Sequence, residues 1–398
     1  MTTRNRLVYA ALCSGLFLIL TSLPGQAGTR VKAEGGPPPS ERGGWVKVQP
    51  EIAMLEGHKG RFHGVGFDGA TYDAERGEVL IYKSYDDGGK RCGSIYSRAI
   101  YGYNAETNQL HQRSLHNWQT PTCGKNDTCP LPENDEAPTP GDRHPYGNFA
   151  WADGAVYLYG GANKSLQASC GQRSGHPKDT WKLDLQSGKW TDLGNAKPGV
   201  VLEGCMGYDP EANLLVMSTN GKRGWAMKLG GSKANWTPIK QSIPHNGCRI
   251  AWDSKRKQLV RFGGGPPGRG GGNALAGFDS DSMSWKQIKP EGEIPGARRF
   301  HGFDYDRTND LFVMFGGKGK KPWDDTWTYD PESNRWARLE LPASPGRSPF
   351  VAMAYDPRSG AFFMSRGSAK KYDFWLYRHG ESSSAGEGQG EGAADSQP

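Results

Sequence analysis

Beyond its first 27 residues the chain has no apolar run approaching the roughly 20 residues that a helix needs to cross a bilayer. It has no Cys-x-x-Cys pair, which argues against thiol exchange and structural zinc. No P-loop, HExxH, GxSxG or EF-hand loop occurs, so neither a metal nor a cofactor is expected. Long Lys/Arg runs of the kind that track a phosphate backbone are also missing, and nucleic acid is not an expected partner.

Glycine, proline and tryptophan are abundant instead: 57 Gly, 27 Pro and 13 Trp in 398 residues point to many turns between short aromatic strands, an all-β chain. Residues 1–27 combine a basic start (Arg4, Arg6), an apolar core from Leu7 to Leu20 and the small residues of Gly25-Gln26-Ala27, the pattern of a cleaved export signal. The expected location is therefore periplasmic or extracellular. Cys13 follows the bulky Leu12, which argues against lipidation. Outside this leader six cysteines remain: Cys92, Cys123, Cys129, Cys170, Cys205 and Cys248. In an exported chain an even count reads as up to three disulfides. Net charge is +7; without the two leader arginines and the four acids of the tail, residues 28–380 carry +9. A basic body suits an anionic ligand, although scattered charge on a soluble surface accounts for it equally.

A single pattern recurs along the chain. A two-residue marker ending in Asp stands before an apolar run six times, as Tyr72-Asp73, Ala152-Asp153, Tyr208-Asp209, Trp252-Asp253, Tyr305-Asp306 and Tyr355-Asp356, at intervals of 80, 56, 44, 53 and 50. The following runs, such as "AVYLYGG", "QLVRFGG" and "DLFVMFGG", have the length and composition of buried strands. A second hairpin comes next, and its spacing is constant: Asp184 to Trp190, Asp279 to Trp285, Asp330 to Trp336, Gly230 to Trp236 and Asn104 to Leu110 are each six residues. Each unit thus reads as four antiparallel strands, with a last-strand Trp available to pack on the next unit. The sixth copy is one strand short, and "GGWVKVQ" near the N-terminus is a strand without a hairpin. Supplying that missing outer strand from Trp45–Val48 closes a ring of six and removes its free edges.

These residues resemble the kelch repeat: apolar strand, Gly-Gly, an aromatic, then Trp six residues after the second turn. The resemblance covers residues 43–380 and is strongest in the second, fourth and fifth copies; the first, third and sixth have Lys83-Ser84, Ser218-Thr219 and Ser365-Arg366 where the Gly pair stands. It implies a six-bladed β-propeller. The expected organisation is a leader (1–27), a disordered linker (28–42), the propeller (43–380) with an inserted loop (114–142), and a disordered acidic tail (381–398). Copper radical oxidases of the galactose oxidase type share the repeat, but their Tyr-Cys cross-link and metal ligands have no assignable counterparts here.

Cys123 with Cys129, in the inserted loop, and Cys92 with Cys170, in loops between second and third strands, are the preferred pairs; Cys205 and Cys248, close before their markers, are expected as a third, the alternative being two free thiols for redox or copper chemistry. Propeller ligand sites sit where loops enter the innermost strands. The candidates there are Arg61, His63 and Asp68; Arg143, His144 and Asn148; Glu203; His245 and Arg249; Arg298, Arg299 and His301; and Arg347. Convergent guanidinium groups at one mouth suit a carboxylate or sulfate. The competing reading is that such Arg and His side chains bond the backbone of adjacent blades. Trp118 and Trp323, in loops, are candidate sugar platforms. The leading expectation is a monomeric, non-catalytic module that binds a glycan, an acidic polymer or a protein partner, the ligand being anionic. Its alternative is a sugar-active enzyme, an epimerase, mutarotase or lyase on an acidic sugar, with Glu203 and His301 as acid and base, by likeness to sialate mutarotase propellers in blade count and export. "KGKKPWDD" in the fifth copy contains Lys318, Lys320, Lys321 and Trp323, none required by the repeat.

Overall fold

The computed structural model describes residues 30–31, 41–54, 69–87, 94–114, 140, 143–162, 176–194, 197–219, 223–240, 246–265, 271–368 and 371–380. The elements formed by these residues are all strands. The turn chemistry explains the repeat spacing. In the hairpin after the first strand, the marker carboxylate of four copies accepts backbone N–H groups two and three residues on, as Asp253 Oδ1 does from Lys255 and Arg256 at 3.0 and 2.9 Å, whereas Asp153 and Gly154 make their turn with positive φ themselves. Asp209 and Asp306 repeat the arrangement. The residue four after the marker then takes positive φ: Gly77, Asn213, Lys257, Asp310 and Gly360. The second hairpin uses the same geometry, with Gly188, Met283 and Asn334 in the left-handed region two residues before Trp190, Trp285 and Trp336. An Asx turn followed by one left-handed residue fixes where the next strand begins, and so places that Trp.

Several antiparallel sheets of four strands result. The fifth copy forms one from Gly302–Asp306, Leu311–Phe315, Thr326–Asp330 and Arg335–Leu339. The second forms another from Phe149–Ala152, Ala155–Tyr159, Thr180–Asp184 and Lys189–Gly194. The third and fourth copies are joined through a parallel contact of Lys240 with Ser284. The first strands of the copies lie side by side: Gly69–Asp73 touches Phe149–Ala152, and contact passes on through Cys205–Asp209, Arg249–Asp253 and Gly302–Asp306 to Val351–Asp356, which touches Gly69–Asp73 again.

Strand Gly44–Val48 pairs antiparallel with Lys371–Arg378, Trp45 opposite Tyr377. Two residues later the chain crosses to the first sheet, where Glu51–Ala53 runs parallel to Gln109–Gln112. Arg30–Val31, within the stretch expected to be a disordered linker, pairs with Ile52 and Ala53. The N-terminal segment therefore spans from the last sheet to the first.

Outer-strand tryptophans pack on the preceding copy, not the next as the sequence suggested. Trp236 donates from Nε1 to Thr180 Oγ1 at 3.0 Å and packs on Tyr159; Trp336 packs on Phe262. Trp45 does the same to the fifth copy, donating to Thr326 Oγ1 at 2.9 Å beside Phe315. Tyr159, Phe262 and Phe315 are the residues just before the three Gly pairs. Both glycines of each pair have positive φ (53° and 100°, 71° and 76°, 63° and 96°), a double left-handed step that other residues make only at a cost.

Candidate functional site

The loops entering the first strands are tied to one another around the axis. Met206 N donates to Gly147 O, Gly247 N to Glu203 O, Phe300 N to Gly247 O and Val351 N to Phe300 O, linking five successive copies. Tyr146, Gly247 and Phe300 all have positive φ at this level (57°, 70° and 57°). For two aromatic residues that geometry is strained, and only surroundings that over-determine it maintain it. Tyr146 stacks on Phe300 at 5.7 Å, and Phe300 meets Phe350 at 5.4 Å, so aromatics of three copies converge over the axis.

The expected cations divide into two groups. Arg143 and Arg298 do not face the mouth. Arg298 is fully buried, donating to Gly296 O and Gly316 O and, from both Nη atoms, to Asp325 at 2.7 and 2.9 Å. Arg143 is equally buried on Gly160 O and Asp179. Each carboxylate also accepts from the tryptophan two residues on, Trp327 and Trp181. Burial alone would raise these carboxyls, but the arginine partners hold both below the ordinary aspartate value.

His144 is buried edge-on to Tyr146, and Asn148 donates to Val201 O from a site without exposure. His301 is also inaccessible: its ring lies edge-on to Phe262, both ring nitrogens lack hydrogen-bond partners among the described residues, and burial with the nearby Arg249 and Arg298 charges depresses its pKa well below the ordinary value. A group so enclosed does not touch a substrate at the mouth.

Arg299 turns outward and donates from Nη1 to Glu203 Oε2 at 3.0 Å. Burial raises the Glu203 pKa, against the opposing charges of Arg299 and Lys318. Glu203 and His301 therefore occupy different environments, one partly buried in an ion pair and the other sealed. Arg249, half-buried, donates to the carbonyls of Cys248 and Val351. Arg347 is exposed, 3.4 Å from Asp324.

Trp323 lies over the Arg298 guanidinium at 4.7 Å and borders a groove of about 980 Å³ between the Glu293–Ala297 segment and the Lys320–Asp325 loop. Lys320, Lys321, Arg338, Arg347 and Ile294 also line it. Ile294 and Val200 are the large apolar residues left exposed among the described residues, at 39% and 44%. The sequence marked the loop but not the groove, whose far wall comes from the segment before Arg298.

Cys205 and Cys248 form a disulfide between neighbouring first strands, with Cα atoms 5.6 Å apart. Cys92, Cys123, Cys129, Cys170, Arg61, His63, Asp68, His245, Trp118, the leader and the tail lie outside the described residues.

A second cavity runs along the axis. It has a volume of about 330 Å³ and is lined by all six first strands. Asp304, on its wall, went unremarked in the sequence. A signal was available: counted from the marker, the other copies place Thr71, Trp151, Gly207, Ala251 and Ala354 there, none of them charged.

No family model matches the chain. It is similar to Kelch domain-containing protein 2 of Bos taurus, with 32% identity over 72 residues, or 18% of this chain and 18% of that relative's length. This local similarity and the all-β, multi-sheet architecture both fit a β-propeller of kelch type.

Proposed function

We propose that the chain is an exported six-bladed propeller, closed by strand Gly44–Val48, that works as a protein-binding module through its loop face. The ring of contacts between first strands supports the blade count, and the Trp45 contacts support the closing role, since they reproduce those of Trp236. A disulfide at the inner strands fits an oxidising compartment.

The observation that carries the binding assignment is the Trp323 groove. It joins a half-buried indole, the exposed Ile294 and four cationic side chains to the acids Glu293, Asp324 and Asp325, of which Asp325 is held by Arg298 and Asp324 lies by Arg347, on a surface that the repeat does not require. Such a surface takes an acidic segment with an apolar anchor: the cations steer the approach, and the desolvated aromatic supplies the affinity.

The test is surface binding of the mature protein to acidic peptides with one Leu or Phe, against sequence-scrambled basic peptides. Acidic peptides should bind, the combined Lys320→Glu, Lys321→Glu and Arg347→Glu variant should lose that binding, and Trp323→Ala should weaken it at least tenfold. Unchanged affinity in both variants assigns binding to another surface and refutes the groove.

A further inference from the structure

At the loop end the lining of the axial cavity is largely buried, Gly147, Phe149, Cys205 and Met353, with Arg249 partly exposed. At the opposite end its lining includes the exposed turn residues Ala74, Pro210, Ser254 and Arg307. Entry is therefore from the face opposite the loop groove, and the site is independent of the protein-binding proposal.

Asp304 Oδ2 accepts Tyr355 N from the neighbouring first strand, and Oδ1 accepts Tyr305 N, both at 2.8 Å. Asp304 has no ion-pair partner among the described residues. Enclosure within the cavity wall pushes its carboxyl up to about 6, against the two N–H bonds and the Arg307 charge, with Asp306 adding to the rise. The same cavity lining carries aromatic side chains of four copies, Tyr72, Trp151, Tyr208 and Trp252, all only partly buried.

We propose that the axial cavity is a binding site for a small quaternary ammonium compound, with Asp304 as its counter-ion and the surrounding rings as its cation–π walls. Aromatic faces with a carboxylate and few spare donors are the surroundings such a cation requires. One acceptor site on each Asp304 oxygen is taken by a backbone N–H, and the aromatic side chains of the lining offer few further acceptors for the three N–H groups of a primary ammonium, which a quaternary cation does not have. That favours a quaternary over a primary ammonium. The size suits a compact ligand, since small-molecule pockets begin near 300 Å³.

The cationic groups in the same lining leave room for this charge. Arg249 is the first residue of its strand and Asp304 the third of the next, so they lie about 7 Å apart along the axis at roughly 3.3 Å per residue. Arg249 also spends donors on the Cys248 and Val351 carbonyls. Arg307 is at the exposed rim, where solvent screens it.

The test is calorimetric titration of the full chain with choline and with its neutral isostere 3,3-dimethyl-1-butanol. Choline should bind at least tenfold more tightly, and Asp304→Asn and Trp252→Leu should each remove that preference. Equal affinities, no choline binding at millimolar concentration, or undiminished preference in a folded Asp304→Asn protein overturns the proposal. Should Asp304→Asn not fold, the wild type still decides the matter: its choline affinity should fall as the pH is lowered through about 6, because a proton then competes at Asp304, and a flat profile refutes the site.

Discussion

Arg298 keeps its guanidinium on Asp325, Gly316 and Gly296 with no exposure, while Arg299 beside it reaches Glu203 at the loop face. Removing one partner of a buried pair leaves a charge uncompensated, so Arg298→Ala should lower stability by about 3–5 kcal/mol in denaturant unfolding. Arg299→Ala, at a pair whose side chains are 13% and 24% exposed, should cost less, about 1–3 kcal/mol. His301 gives a pH signature. The unfolded histidine gains a proton below its ordinary pKa of 6.5, whereas the folded one stays neutral to well below it, so its contribution is present above that pH and lost as pH falls. Between pH 6.5 and 5.5 the wild type should lose on the order of 1 kcal/mol more than His301→Leu. The direction of each side chain is what sequence could not supply. Consecutive residues of an extended segment point to opposite sides, and the dipeptide "RR" does not say which arginine goes in. Asp325, two residues before the repeat's Trp327, was the legible hint that one had a buried partner.

At the scale of the strand and turn, the sequence was far more readable. The six-residue spacing from Asp to Trp is a consequence of the Asx turn and one left-handed residue, both local, so it appears wherever the turn does. The packing partner of that Trp is non-local, so the spacing does not give the direction in which it packs. Trp45 and Trp236 make equivalent contacts, a Thr hydroxyl and the aromatic before a Gly pair. Trp45→Ala and Trp236→Ala should therefore destabilise to a similar degree, about 3–5 kcal/mol each by thermal or chemical unfolding. A Trp45 variant with wild-type stability removes the equivalence.

For the whole molecule, two devices hold neighbouring copies together at defined places. The Cys205–Cys248 bridge closes a 43-residue span between adjacent first strands. Chain entropy puts its contribution at about 4 kcal/mol, so the Cys205→Ser, Cys248→Ser protein should unfold at correspondingly lower denaturant than the oxidised wild type. Between the sixth and first copies the N-terminal segment passes from Gly44–Val48 to Glu51–Ala53, Tyr103 stacks on Phe363 at 3.7 Å, and Arg358 donates to the carbonyls of Ala74, Glu75 and Arg76. The most direct test of closure is amide hydrogen exchange on the mature protein, followed by mass spectrometry of peptides covering residues 44–48 and 371–378. The account requires both to be protected to a similar degree, because each supplies the other's ladder partners. Exchange of 44–48 at the rate of free chain, with the other sheets still protected, contradicts it.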